Sequence, residues 1–338
     1  MKILVDTAGD ILYKSYYLLG LIQLFGERNV QFSGAPFRSL SCVARNGKAT
    51  NFIVCDGTRE RRYTIAGDDS YVVNAELYDW CDLYGSVNAN RALTPEEQQA
   101  KLVTLCPSFA VRYAEPVRMT LDCLGSLPAR PLQWKKHLGK YKRLLQRMPY
   151  GRYQVRGTVR EGYVFTSSTL WYSDEWNKND EQVNLARARF IRACRTLPGI
   201  TLEGGLVSQG SGRSSEELFR DCLSDRYPVE RWIELTRQSV CVFNTPAFWN
   251  CHGWKLGEYM ALGKAIVSTP LINDLPQPLE HGRHIHITEN SEEAFGEAVS
   301  YINSHPDYRR MLEENITNYW ERYGTPVASL ALLGIQAP

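Results

Sequence analysis

The stretch Asn250-Cys251-His252-Gly253-Trp254-Lys255-Leu256-Gly257-Glu258-Tyr259-Met260-Ala261-Leu262-Gly263-Lys264-Ala265-Ile266-Val267-Ser268 decides the fold. It reads as loop, helix, tight turn and strand, and the β-rich run Val240-Cys241-Val242-Phe243 comes just before it. A strand, a loop, a helix and a second strand in this order make the repeating unit of a parallel sheet. Gly253 opens the helix, and the N–H groups of a first helical turn have no partner within the helix. Those donors and the positive end of the helix dipole favour an anion such as phosphate. Glu258 falls one turn further in, where its carboxylate can accept hydrogen bonds from sugar hydroxyls. Gly263-Lys264 ends the helix before Ala265-Ile266-Val267-Ser268 re-enters the sheet. The bland reading of the same residues is a buried helix of an α/β domain, with Glu258 solvated or paired.

This segment resembles the donor-binding element of glycosyltransferases with the GT-B fold. In that group a glycine-containing loop precedes a helix of the form Leu-Glu-Ala-Met-Ala-x-Gly-x-Pro-Val-Val. Here the corresponding run is Gly257-Glu258-Tyr259-Met260-Ala261-Leu262-Gly263-Lys264-Ala265-Ile266-Val267. The resemblance implies an α/β protein of two Rossmann-like domains facing across a cleft, with the nucleotide-sugar donor on the second domain and the acceptor on the first. It implies that Glu258 contacts the ribose. Many retaining members carry a second Glu upstream, near the transferred sugar. Asn250 stands in that place, which leaves the stereochemical outcome open. Lys255 replaces the family's proline and is in reach of a phosphate. His252 points at sugar or phosphate, or is a structural loop histidine.

Shorter echoes point to bacterial surface-polysaccharide enzymes of the capsule or O-antigen type. Tyr78-Asp79-Trp80-Cys81-Asp82-Leu83-Tyr84 looks like a Cys-Asp-x-Tyr element of some of them. Asn184–Arg195, followed by Leu202-Glu203-Gly204-Gly205-Leu206, looks like the start of their second domain. The expected activity is therefore sugar transfer from a nucleotide donor to a glycan or lipid-linked acceptor. A GT-B-type nucleotide-sugar epimerase and a non-catalytic nucleotide-sugar-binding protein are the alternatives.

A chain of 338 residues has room for two domains, each with its own core. Hydrophobic content of 43% with 22% charged residues is the composition of a soluble globular protein. No apolar run reaches the ~20 residues that a membrane span needs. Met1-Lys2-Ile3-Leu4-Val5-Asp6 is expected to be a first strand and lacks the apolar core of a signal peptide. Nine cysteines without a Cys-x-x-Cys pair suit reduced thiols in a cytoplasmic protein and speak against a structural zinc site. Cys251 reads better as a small loop residue than as a nucleophile, since sugar transfer needs no thiol.

The net charge is +2, but it is unevenly spread. From Cys123 to Arg160 there are ten Lys or Arg residues and no Asp or Glu, which leaves −8 for the rest of the chain (+2 less +10). Within this block Leu132–Met148 is expected to be an amphipathic helix with Trp134, Leu138, Tyr141, Leu145 and Met148 on one side. The block suggests peripheral contact with an anionic inner-membrane surface, or a solvated helix packed on the first domain. Nucleic acid is not expected, because the remainder is acidic.

The expected organisation is residues 1–125 as an N-terminal Rossmann-like acceptor domain and 126–160 as a basic linker. Residues 161–305 are expected to form the donor domain, and 306–338 a pair of helices crossing back. Strands are expected at Lys2–Val5, Asn51–Val54, Lys101–Leu105, Tyr163–Phe165, Thr201–Leu206 (with a Gly-Gly turn) and His284–Ile287. Extended or turn-joined pieces are expected at Tyr71–Asn74 and Leu77–Leu83. Helices are expected at Ile11–Leu24, Asp180–Thr196, Pro228–Gln238, Tyr308–Tyr323 and Pro326–Leu333. A helix after Ile287 is expected to be capped by Asn290, with Glu293 completing a capping box.

Glycosyl transfer must stabilise a departing nucleoside diphosphate. No Asp-x-Asp metal motif occurs. The expected substitutes are the helix end and cations, at Gly253, Trp254 and Lys255, with neither metal nor cofactor. Ser167 and Ser168 follow the second domain's first strand, where open α/β sheets bind ligands. The Gly-Arg pair that many relatives have there is missing; Arg187 or Lys178 is the substitute. Trp171, Tyr172 and Trp176 either stack a base or sugar or pack internally. An inverting reaction also needs a base. Asp10, between first strand and first helix, is the first candidate, with a helix cap as its other role. Asp82 is the second.

Overall fold

The structure, a computed structural model, describes residues 1–57, 59–129, 133–171, 179–210 and 213–337. It divides into two compact units. One holds Met1–Arg152, Asn273–Pro278 and Glu321–Pro338; the other holds Tyr153–Ile272 and Leu279–Trp320. Both are α/β, as expected.

The first unit opens with β1 (Lys2–Val5), α1 (Ile11–Phe25), β2 (Val30–Phe32), α2 (Cys42–Asn46), β3 (Thr50–Asp56) and β4 (Arg59–Ala66). It continues with α3 (Ala75–Trp80), β5 (Leu83–Ser86), β6 (Leu102–Thr104), α4 (Pro116–Ser126), α5 (Trp134–Leu145) and α6 (Gly151–Gln154). The sheet order is β2-β1-β3-β4-β5-β6. Every neighbouring pair is parallel except those of β3, which runs against both β1 and β4.

That hairpin departs from the alternating parallel series read in the sequence. Asp56-Gly57 turns the chain with Gly57 at φ 59°, a left-handed conformation that favours glycine. The sequence hid β4 because its front half, Arg59-Glu60-Arg61-Arg62, is charged and exposed. Residues 77–80, expected to be extended or turn-joined, belong to α3 instead. Asn74 caps it, accepting from the Leu77 N–H at 3.1 Å.

The basic segment is not a linker throughout. As far as Arg152 it belongs to the first unit. In α5 the buried residues are His137, Tyr141 and Leu144, while Trp134, Leu138 and Leu145 stay exposed. The expected apolar side is thus rotated: His137, which counts as polar in a sequence, leads the buried face. Its ring packs on Tyr141, centroids 5.0 Å apart, and its Nε2 meets Ser126 Oγ at 2.9 Å.

The second unit contains β7 (Tyr163–Thr169), α7 (Asn179–Thr196), β8 (Thr201–Val207), α8 (Arg213–Leu218), α9 (Val229–Gln238) and β9 (Val242–Asn244). After these come α10 (Trp254–Ala261), β10 (Ile266–Ser268), β11 (His286–Ile287), α11 (Glu292–Ser304) and α12 (Pro306–Tyr323). β7 pairs with β8, and β10 lies between β9 and β11, all parallel. Ser239 bridges the two sets: its Oγ accepts from the Phe165 N–H at 2.9 Å. Val240 N donates to the Tyr163 carbonyl at 2.8 Å. Phe190 of α7 stacks on Phe243 of β9 at 4.5 Å, and Phe295 of α11 meets Phe243 edge-on. Burial of such apolar faces drives each unit's folding.

Expectations from the sequence fail in this unit at a glycine pair and at a helix cap. Gly204-Gly205 lie inside β8 rather than in a turn. Gly204 has φ 91°, and a Cβ there would sit 2.0 Å from the Thr166 carbonyl oxygen of β7, while a Cβ on Gly205 would sit 2.3 Å from the Cys222 carbonyl oxygen. The cap of α11 is Ser291, whose Oγ accepts from Ala294 N at 3.1 Å, not Asn290.

The last helix, α13 (Pro326–Leu332), packs on α1 within the first unit. Tyr16 donates its hydroxyl to the Gly324 carbonyl at 2.5 Å beside that contact. α12 starts in the second unit, and from Glu321 onward the chain belongs to the first.

The stop of α10 is demanding. Gly263 has φ 59°, and an added Cβ would fall 1.6 Å from Arg156 Nη1. That guanidinium donates to the Leu262 and Gly263 carbonyls at 3.3 and 3.1 Å. Gly263→Ala is expected to lose about 1–2 kcal/mol from the left-handed backbone alone, with more from displacing Arg156. Urea unfolding checks this, and an unchanged midpoint contradicts it.

Candidate functional site

In an open parallel sheet, loops and helix N-termini gather at the carboxyl ends of the strands. In the second unit Thr169 of β7, Asn244 of β9 and Ser268 of β10 mark that edge. Helix α10 starts there. Gly253 is its N-cap, with no side-chain cap and no acid in the first turn. The positive end of its dipole is therefore not neutralised by a carboxylate of that turn.

The turn leading into α10 is strained. Trp249 and Asn250 are successive non-glycine residues at φ 53° and 58°. Such residues cost on the order of 1–3 kcal/mol each and persist only where the surroundings force them. Ala247 N donates to the Cys251 carbonyl, and Cys251 N to the Phe248 carbonyl, both at 2.9 Å. Phe248 is buried and meets the Trp171 ring edge-on at 4.9 Å. Asn184 of α7 grips the Trp171 backbone from both sides, accepting from its N–H at 3.2 Å and donating to its carbonyl at 2.8 Å. Trp171 is thus a packing residue. Tyr172, Trp176 and Lys178 lie outside the described residues.

Arg187 of α7 is brought to the same edge, donating to the Thr169 carbonyl at 2.8 Å. Burial lowers its pKa to about 10, and the nearby Tyr259 and Cys251 oppose that shift. A guanidinium so placed is still a cation at neutral pH. Lys255 lies over the Trp232 ring at 4.3 Å, with the Tyr259 ring at 6.0 Å, a cation–π arrangement. Glu258, in the second turn, is buried, and Tyr153 donates its hydroxyl to Oε1 at 3.4 Å. Cys251 and His252 are buried too.

Ser167 and Ser168 are not on a loop after the first strand of this unit. They are buried within β7, opposite Gly205 and Leu206 of β8. The polar groups at the strand ends are others. Asn244 Nδ2 donates to Ser268 Oγ at 3.0 Å, and Thr269 donates to Thr245 Oγ1 at 2.9 Å. The sequence reading missed them. Their signal was a single polar residue closing each apolar strand. An open groove of about 580 Å³, lined by Gly157–Arg160, Glu234, Arg237 and Gln238, lies at the opposite, amino-terminal edge of β7.

In the first unit the two acid candidates fall on opposite edges. Asp10 follows β1 at its carboxyl end. It caps α1, accepting from Leu12 N at 3.0 Å, and pairs with Lys140 Nζ at 2.7 Å. Asp82 precedes β5 at its amino end. There its carboxylate accepts from Arg62 N at 2.7 Å, and its own N–H donates to the Arg62 carbonyl at 2.8 Å. It pins strand pairing on the edge away from Asp10. Asp68, which the sequence reading missed, follows β4 at its carboxyl end. Burial pushes its carboxyl above the usual range, against the pull of Lys48. Its signal was the Asp68-Asp69 pair behind a strand whose charge concealed it.

No protein-family model matches the chain, and no curated protein matches it. Solved structures similar to it include a glycosyltransferase from Rickettsia africae, at 13% identity over 78% of this chain and 65% of that one, TM-score 0.41. A second is WaaG, a glycosyltransferase involved in lipopolysaccharide biosynthesis, at 17% identity over 52% of this chain and 47% of that one, TM-score 0.34. A third is the C-terminal domain of LpcC, a group 1 family glycosyl transferase from Francisella tularensis, at 11% identity over 50% of this chain and 88% of that one, TM-score 0.35. The match spans less than two thirds of the first two proteins.

Proposed function

We propose that this protein is a glycosyltransferase of the GT-B type. It moves a sugar from a nucleotide-sugar donor to a glycan or lipid-linked acceptor in surface polysaccharide assembly, without a metal. The observation that carries this reading is the strained Trp249-Asn250 turn, which presents the N-terminus of α10 at the edge that also holds Arg187 and Glu258.

Each group has a task in that chemistry. The donor's diphosphate lies at Gly253 and Trp254, where the helix dipole and Arg187 meet the charge that grows as the bond to the sugar breaks. Such fixed dipoles and cations act without reorganising at the moment of reaction. Lys255 adds positive charge from its place on the Trp232 ring. Glu258 accepts from the ribose hydroxyls. Asn250 and His252 face the transferred sugar. For an inverting reaction, Asp68 of the first unit takes the proton from the acceptor hydroxyl. A carboxyl held above its usual range binds a proton more readily than an ordinary Asp, which suits a general base.

Glu258→Ala is expected to weaken donor binding by roughly tenfold to a hundredfold, since a hydrogen bond to a charged group is worth about 1.5–3 kcal/mol. Unchanged affinity by calorimetry would sink the ribose role. Turnover is expected to survive EDTA. Complete loss restored by Mn²⁺ or Mg²⁺ would show that a metal, rather than Arg187 and the helix end, meets the diphosphate charge.

Asp68 and Asp10 are expected to behave differently. Asp68→Asn should remove most turnover while donor affinity stays. In the parent, turnover should fall as pH drops through the raised Asp68 pKa, because the protonated carboxyl is no longer a base. Asp10→Asn keeps a capping side chain but loses the ion pair to Lys140, a loss of up to about 1 kcal/mol in stability, with turnover retained. The reverse pattern, an inactive Asp10→Asn beside an active Asp68→Asn, would move the base to Asp10.

A further inference from the structure

His281, His284 and His286, three of the chain's six histidines, fall in one turn and strand of the second unit. The turn folds back on itself. Arg283, His284 and Ile285 direct their N–H groups at the Glu280 carbonyl, at 3.3, 3.0 and 3.4 Å, and Gly282 N donates to the Ile285 carbonyl at 2.8 Å. Two imidazoles complete it as acceptors. Glu280 N donates to His284 Nδ1 at 3.1 Å, and Ile287 N donates to His281 Nδ1 at 3.0 Å. β11 is the edge strand of its sheet. Thr288 N reaches across to the Ser268 carbonyl of β10 at 2.9 Å, so the Ile287 N–H, one residue earlier, points off the open edge. An edge strand leaves such groups unpaired, and here the His281 ring takes the place of a further strand.

The rings rest on α11 and α12. His286 Nδ1 meets the Tyr308 hydroxyl at 3.0 Å. His284 lies edge-on to Tyr319 at 5.7 Å, and the His281 and His286 rings are 5.0 Å apart. The charged and titratable neighbours come from three elements. The turn supplies Glu280 and Arg283, paired with each other at 2.9 Å. α11 supplies Tyr301, whose ring is 6.4 Å from His286 and stacks on His305 at 4.1 Å. α12 supplies Tyr308 and Tyr319.

We propose that these histidines form an acid-sensitive latch: neutral imidazoles hold residues 280–287 closed on β10, and protonation releases them. An imidazole accepts at Nδ1 only while neutral; the imidazolium has a proton on both nitrogens and only donates. Protonation of His281 and His284 therefore strips the Ile287 and Glu280 N–H groups of their acceptors and sets donor against donor. It also places like charges on His281 and His286, which repel. Burial pushes the His284 imidazole below its ordinary range; Arg283 adds to this and Glu280 opposes it. Burial, and then His281, do the same at His286. Both groups are thus less basic folded than unfolded. The stability they contribute is whole above the unfolded value of about 6.5 and is lost as pH falls through the lowered folded values. β11 is in register with β10 at Val267–His286 and Ser268–Ile287, so opening withdraws a neighbour from the strand that ends at the carboxyl edge. The inference is independent of glycosyl transfer, and its test uses no donor or acceptor.

Amide hydrogen exchange of the full chain is followed between about pH 7.5 and pH 5.5, where histidine changes charge, and corrected for the intrinsic pH dependence of exchange. Protection over residues 280–288 is expected to fall on acidification, while protection of Val242–Asn244 in β9 stays. One hydrogen bond is worth roughly twofold to twelvefold in an opening equilibrium, so loss of both should lower protection at Glu280 and Ile287 by about tenfold or more. In His281→Asn with His284→Asn the side-chain oxygen takes the place of Nδ1 and does not titrate, so the pH dependence should largely disappear. Nitrogen NMR of the parent's imidazoles needs no variant: at neutral pH His281 and His284 should carry their proton on Nε2. Equal protection at both pH values overturns the proposal. So does a loss of protection as large in the double variant as in the parent, or a proton on Nδ1 of both rings at neutral pH.

Discussion

The second unit depends on one constraint: β9 and β10 are neighbours and parallel. Val242, Phe243 and Asn244 pair in register with Ile266, Val267 and Ser268. Parallel neighbours cannot be joined by a tight turn, so the chain must cross back over the sheet, here through α10. A helix making that crossing has to begin at the carboxyl edge of the strands and end at the amino edge. The position of Gly253, and with it the helix end, follows from strand pairing.

The far end of α10 is fastened strongly. Arg156 closes over the Leu262 and Gly263 carbonyls. Lys264 is buried, and its ammonium reaches Glu313 and the Arg237 carbonyl, each at 3.2 Å. Burial lowers the Lys264 pKa while Glu313 opposes the shift, so the pair keeps a charge inside that would otherwise be costly. With its C-terminus clamped and its N-terminus braced by the Phe248–Trp171 contact, α10 has little freedom to move. That is the preorganisation an anion site needs, since groups already in place lose little freedom when the ligand arrives.

How much of this was legible in the sequence differed between the two units. Around α10 it was nearly all there, because apolar strands, a glycine at each helix end and one internal Glu are local signals. β1 matched residue for residue. What the sequence hid was set by tertiary neighbours. β4 is masked by Arg59, Arg61 and Arg62, whose side chains are exposed while their backbone pairs with β3. Ser167 and Ser168 looked like loop because hydroxyl residues favour turns, yet they pair with Gly205 and Leu206 in a buried strand. Arg187 was one of two candidate cations, with Lys178, until Thr169 gave it a partner. Asp68 had no reading at all, since what raises its pKa is burial. Asp10 was legible as a helix cap, but its ion pair required knowing where α5 lies.

The central claim is that the carboxyl edge of the second unit binds a nucleoside diphosphate through Arg187 and the α10 N-terminus. A thermal-shift panel of UDP, GDP and dTDP on the parent chain and on Arg187→Ala tests it most directly. Ligand at a hundred times its dissociation constant stabilises a folded protein by about 2.7 kcal/mol. One of the three should therefore raise the melting temperature of the parent by several degrees, and that rise should largely vanish in Arg187→Ala. No shift with any nucleotide, or an equal shift in both proteins, would contradict the claim.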